Sequence, residues 1–243
     1  MAGNGADPAA IKPHSLQTFK LDDLARFTAE GEFGPHASPD YRVLYVGRDD
    51  VHGALKYIFG LISVSLKMNM FGFDDEELNS VIMGLVRNPG ILLQVSLDKS
   101  QAQGVHEKKI LVGDILEDRQ AFSSHFAVGE SQTHQILHTK GGVLDNVLAF
   151  EGSTNWSASG EGSGIGLHGS PNLTGFRAQA NSLTVHTNPY EIAKFAAVLD
   201  HWYDVAAAQP QPAYDQWASQ GNGAEPAAAK PAGAHPAAGA AAH

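Results

Sequence analysis

Residues 138 to 155 read His-Thr-Lys-Gly-Gly-Val-Leu-Asp-Asn-Val-Leu-Ala-Phe-Glu-Gly-Ser-Thr-Asn and fit the spacing H-x-K-x4-D-x6-G-S-x-N at every fixed position. Six specified residues so close together arise by chance in a chain of 243 residues at odds of roughly one in several hundred thousand. The spacing suits a strand pair. His138 and Lys140 are two apart and share one face of a strand, as do Ser153 and Asn155. Gly152 lets backbone approach closely. Chemically, an imidazole at neutral pH keeps a nitrogen free to attack. An ammonium beside it neutralises charge building on a phosphate, and Ser153 and Asn155 add short donors. The set reads as a phosphate cradle next to a nucleophile.

The pattern, extended by Trp156 and Ser157 into Gly-Ser-Thr-Asn-Trp-Ser, resembles the signature of the phospholipase D superfamily, in its single-motif, nuclease-like branch. The resemblance implies an α/β fold, a mixed β-sheet flanked by helices, forming a half-domain that pairs as a homodimer. It implies catalysis by His138 and Lys140, a structural role for Asp145, and phosphate contacts from Ser153 and Asn155. In that family two motifs meet. One histidine becomes a phosphohistidine while the other protonates the leaving oxygen and then activates water. This chain carries one good copy. His106-Glu-Lys108 is followed by Asp114, one residue too far along, and by no Gly-Ser-x-Asn. His106 to Lys109 therefore reads as a solvated charged turn, and the second histidine is expected from another subunit across a two-fold axis. Many relatives orient the histidine with an Asn-x-Glu sequence. Here Gln179-Ala-Asn181 stands in that place, so Gln179 and Asn181 are the expected orienting residues.

No cofactor and no metal are expected. The chain has no cysteine, which excludes disulfide scaffolds, thiol nucleophiles and cysteine-based metal sites. His134 and His138 are four apart, a spacing that suits a metal on a helix, whereas a strand is expected there. Gly164 to Gly169 spells G-x-G-x-x-G but opens no helix after a strand, so residues 160–176 read as a glycine-rich loop beside the site rather than a dinucleotide fingerprint. The N-terminus lacks a secretory pattern and no run is long and apolar enough for a membrane span, so a cytoplasmic location is the default. The substrate is expected to be a phosphodiester, nucleic acid ahead of phospholipid. A phosphatidic-acid-releasing lipase and a non-catalytic phosphate binder are the alternatives. The formal charge of −10 works against tight non-specific binding of polyanions, although a local groove lined by Lys140 and Arg177 would still permit cleavage.

Three segments are expected: an extension over 1–38 with one helical stretch from Leu21, a catalytic domain over 39–208, and an Ala/Pro/Gly-rich tail over 209–243 without a core. Within the domain, Arg42 to Gly47 reads as a buried strand and Val51 to Leu61 as a helix. Ile62, Val64, Leu66, Met68 and Met70 alternate as in a half-buried strand. Asp74 or Asp75 caps a helix to about Arg87, and Ile91 to Leu97 is a strand. The motif strands are expected at Gln135 to Lys140 and Val143 to Glu151, and another strand at Leu183 to Thr187. Asn188-Pro189-Tyr190-Glu191 opens a final helix with Ile192, Phe195, Leu199 and Trp202 on its apolar face.

Overall fold

A computed structural model describes residues 16–163 and 177–213. A short 3-10 helix (Leu21–Phe27) precedes β1 (Tyr41–Tyr45), α1 (Val51–Gly60), β2 (Ser65–Met70), α2 (Glu76–Val86) and β3 (Leu92–Asp98). Then come α3 (Lys99–Ala102), α4 (Val105–His125), β4 (Phe126–Gly129), β5 (Lys140–Leu144) and β6 (Leu148–Gly152). The chain closes with α5 (Ala158–Glu161), β7 (Ser182–His186) and α6 (Pro189–Ala207). Most of the glycine-rich loop and of the tail lies outside the described residues.

The seven strands form one mixed sheet in the order β1-β7-β6-β5-β2-β3-β4. β2, β3 and β4 are parallel, and the remaining neighbours are antiparallel. This is the α/β architecture expected from the sequence. The main core joins Leu66, Met68, Met70, Leu93, Val95 and Phe150 of the sheet to α1, α2 and α4. On the opposite face Val143 and Ala149 pack against Ile192, Ala196 and Leu199 of α6. Leu16, Leu21 and Leu24 add their side chains to the main core. Among the described residues no helix is long and apolar enough to cross a membrane.

Local chemistry explains several boundaries. The Asp75 carboxylate accepts from Leu78 N and starts α2, and Asn188 accepts from Tyr190 N and Glu191 N ahead of Pro189. The β5–β6 turn places Asp145 and Asn146 at φ 51° and 56°, the left-handed pair that a tight hairpin turn needs. The double glycine of the motif is a packing requirement. A Cβ on Gly142 would lie 2.7 Å from the Lys67 carbonyl oxygen and 2.8 Å from the Phe150 ring, and one on Gly141 2.7 Å from the Phe150 carbonyl oxygen.

Five expectations need correction. β1 is an edge strand with alternate residues exposed, not a buried one. β2 is central rather than half-buried: its polar positions face α6, where Lys67 Nζ meets Asp200 Oδ2 at 2.7 Å and Asn69 is fully buried. His106 to Lys109 belongs to the first turn of α4 instead of a solvated turn. Its Glu107 is 4% exposed and accepts from Phe73 N at 2.8 Å. Lastly, β5 spans Lys140–Leu144 and β6 Leu148–Gly152, so His134 to Thr139 form a loop, His138 does not stand on a strand, and the expected strand Val143 to Glu151 is broken by the turn at Asp145 and Asn146.

Candidate active site

The motif histidine lies where the carboxyl ends of β2 and β3 meet the start of β5, the end of a sheet where α/β proteins gather ligands. Met70 pairs with Lys140, and Lys140 in turn pairs with Gly152. The loop before β5 is tied down on both sides of His138. Asp98, buried at the end of β3, accepts from Leu137 N at 2.7 Å, and Asn69 of β2 donates to the Thr139 carbonyl at 3.0 Å. With both neighbouring peptides held, the exposed His138 side chain projects from a fixed stretch of backbone.

His138 and Lys140 meet the same aromatic ring. Phe71, the first residue after β2, contacts the imidazole edge-on at a centroid distance of 4.6 Å. The Lys140 ammonium stands 4.5 Å from the centre of that ring and donates to the His138 carbonyl at 2.6 Å. Burial pushes the Lys140 pKa down, opposed by the negative charge of Asp98. The ammonium is thus held in a partly desolvated place, where its charge acts more strongly on an incoming anion. Lys140 and His138 come together through Phe71 rather than through strand alternation.

Gly72 and Phe73 carry the second half of the motif. Trp156 N donates to the Gly72 carbonyl at 2.8 Å, and Asp74 N to the Trp156 carbonyl at 2.7 Å. The Asn155 side chain lies beside Gly72, where a Cβ would sit 3.1 Å from it, and its Oδ1 is buried without a partner. Trp156 anchors the segment, 1% exposed and packed edge-on against Phe59 at 5.0 Å. The loop from Phe71 to Asp74 therefore adjoins both His138–Lys140 and Asn155–Trp156.

Searched against solved structures, the chain is similar to a phospholipase D family member, Nuc, from Salmonella typhimurium, with a TM-score of 0.50, 13% identity, and coverage of 68% of this chain and 93% of that one. The chain has the phospholipase D fold. It is also similar to NucT from Helicobacter pylori (TM-score 0.45, 14% identity, covering 68% and 96%). A third likeness is to the phosphatidylserine synthase of Haemophilus influenzae (TM-score 0.49, 10% identity), of which it spans 45%. No family model and no curated protein matches the sequence, so the likeness to phospholipase D proteins is one of fold.

Within this phospholipase D fold the remaining motif residues are spread out. Ser153 follows β6; its Oγ accepts from Ser182 N at 3.0 Å, leaving the hydroxyl proton to give. Asp145 lies at the far end of β5 from Lys140 and accepts from Ser63 N, Val64 N and Ser65 N, tying the hairpin turn to the start of β2. Asn181 donates to the Gly160 carbonyl at 2.8 Å and to Gln179 Oε1 at 3.2 Å. Those bonds, rather than any to the imidazole, occupy the amide of Asn181. Sequence reasoning missed Phe71, Asn69 and Asp98. The signal for two of them is a polar residue at or next to the carboxyl end of a strand: Asn69 in β2 and Asp98 in β3.

Proposed function

We propose that the chain is a phosphodiester hydrolase of the phospholipase D type, acting through a phosphohistidine on His138, with nucleic acid as its substrate. The observation that carries the reading is the pairing of an exposed imidazole with a partly desolvated ammonium over one shared ring. A ring nitrogen of His138 attacks phosphorus and the P–O bond to the leaving group breaks. His138 of a second copy protonates that oxygen. The second imidazole then takes a proton from water, which attacks phosphorus and releases the P–N bond. Lys140 neutralises the non-bridging oxygens throughout, helped by Ser153 and Asn155. The exposure of His138 suits a homodimer in which the two imidazoles meet across an isologous interface.

Incubating single-stranded DNA with the wild type and with His138→Ala, in EDTA at a temperature well below melting, tests the reading. Cleavage by the wild type alone supports it. Silence on DNA and RNA, with head-group release from phospholipid vesicles, would move the substrate to lipid. Silence on every diester would leave a phosphate-binding relative.

A further inference from the structure

Three side chains far apart in the sequence meet beneath the start of α2. His52 lies in the first turn of α1, Asp75 caps α2, and Glu161 ends α5. One potential ligand atom from each lies within 4.8 Å of the other two, and all three residues are buried, with exposures of 9%, 9% and 1%.

Their bonding is incomplete in a specific way. The Glu161 side chain has no exposed surface, yet neither carboxylate oxygen accepts a hydrogen bond. His52 Nε2 faces Glu77 Oε2 at 3.2 Å. A carboxylate there holds a ring proton on Nε2. Although burial lowers it, Glu161 and Glu77 together raise the His52 pKa to about 9, so a cation at Nδ1 would replace a proton. That Nδ1 is also without a hydrogen-bond partner, and it points to Glu161 Oε2 from 3.3 Å. Asp75 uses Oδ1 on Leu78 N at 2.8 Å, and its carboxyl faces that of Glu161, whose pKa is raised to about 8 by burial and by Asp75. The nearby ammonium of Lys56 is engaged by Glu77. Three potential ligand atoms thus converge in a largely buried place that protons occupy when no metal is bound, and a divalent cation would take the place of those protons.

We propose that His52, Asp75 and Glu161 bind one divalent cation of the zinc class. One imidazole nitrogen with two carboxylate oxygens is a zinc donor set, and the Glu77 contact supplies the outer carboxylate that orients a metal-bound histidine. Tetrahedral zinc with bonds of about 2.0–2.1 Å separates its ligands by about 3.3 Å, the spacing already present between Nδ1 and Oε2. Closing the widest pair to that edge takes a movement of at most ~1.5 Å, within reach of carboxylate rotation. The ion would fasten α1 and α2 to the short helix that follows the Trp156 anchor. It bears on the rigidity of the motif segment and takes no part at the reacting phosphate.

The test uses the full-length chain without an added tag, stripped with chelator and desalted, then titrated with Zn²⁺ by calorimetry and by thermal melting. The wild type should bind one ion per chain and melt at a higher temperature with Zn²⁺. Glu161→Gln should weaken binding at least tenfold and lose the melting shift. Each variant is compared with its own metal-free melt, so a folding cost of the substitution itself does not enter. Asp75→Asn keeps an acceptor for the helix cap and should also lose the shift. Absence of saturable binding would overturn the proposal. So would binding and a melting shift kept by both variants, since the zinc would then sit on other histidines.

Discussion

The ammonium of Lys140 is held by the carbonyl of His138, the residue whose imidazole it accompanies, at 2.6 Å. The chain direction of the loop and the position of the charge are thereby coupled: where the His138 backbone goes, the Lys140 charge follows. Phe71 lies under both groups, so neither moves without repacking against that ring.

Lys140→Met keeps the buried stem and deletes the charge. We expect kcat to fall by about 10²–10³-fold, the usual loss for one preorganised oxyanion donor, with a small change in Tm. Steady-state kinetics beside a melting curve check it, and an unchanged kcat would remove Lys140 from the chemistry.

Asp145→Ala should act on folding and not on turnover. The carboxylate serves three backbone amides and the Ser63 hydroxyl, and the residue stands at φ 51°, where alanine is strained. A loss of about 3 kcal/mol in urea denaturation is expected, with kcat per folded molecule retained.

Glu107 gives the fold a pH dependence. Burial lifts its carboxyl from 4.5 to about 8, opposed by the Phe73 N–H and aided by Asp74 and Asp98. An acid with a raised folded-state pKa binds its proton more tightly in the folded chain. Its contribution is therefore complete below about pH 4.5 and is lost progressively up to about pH 8, by at most about 1.4 kcal/mol per pH unit. Glu107→Gln keeps an acceptor for Phe73 N and should flatten the decline. Equal slopes for variant and wild type in denaturation between pH 5 and pH 8 would contradict the assignment.

A site shared between two copies has an arithmetic signature. When wild-type and His138→Ala chains are mixed equally and allowed to exchange, wild-type dimers make up about one quarter of all dimers. Activity should drop to about half of what the same wild-type chains show unmixed. Strict proportionality to wild-type chain would mean that each subunit works alone.

Much of the scaffold was legible because its signals are local. Asp75 and Asn188 announce their helices within one turn, whereas the apolar run of the motif suggests a strand through Asp145 and Asn146, where the hairpin in fact turns. What escaped depends on distant partners. The loop around His138 looks like a strand by alternation, but Asp98 and Asn69 hold its peptides from neighbouring strands. The start of α4 looks like a solvated turn because its charges are consecutive, yet Glu107 is drawn inward by the free amide of Phe73. The apolar alternation in β2 was read correctly as a strand and wrongly as half-exposed, since α6 covers the polar side. His52, Asp75 and Glu161 have no shared spacing at all.

The two borders of the sheet are finished differently. β1 is capped from the turn that follows it, where Tyr45 N donates to Asp49 Oδ2 at 2.8 Å, whereas β4 is closed by side chains arriving from beyond α6: Gln211 Oε1 accepts from Val128 N and Gln209 Oε1 from Glu130 N, both at 2.9 Å. These glutamines imitate a missing eighth strand. A chain cut after Ala208 would bare peptide groups ready to recruit any extended segment nearby, so two residues at the threshold of a low-complexity tail act as a safeguard against self-association.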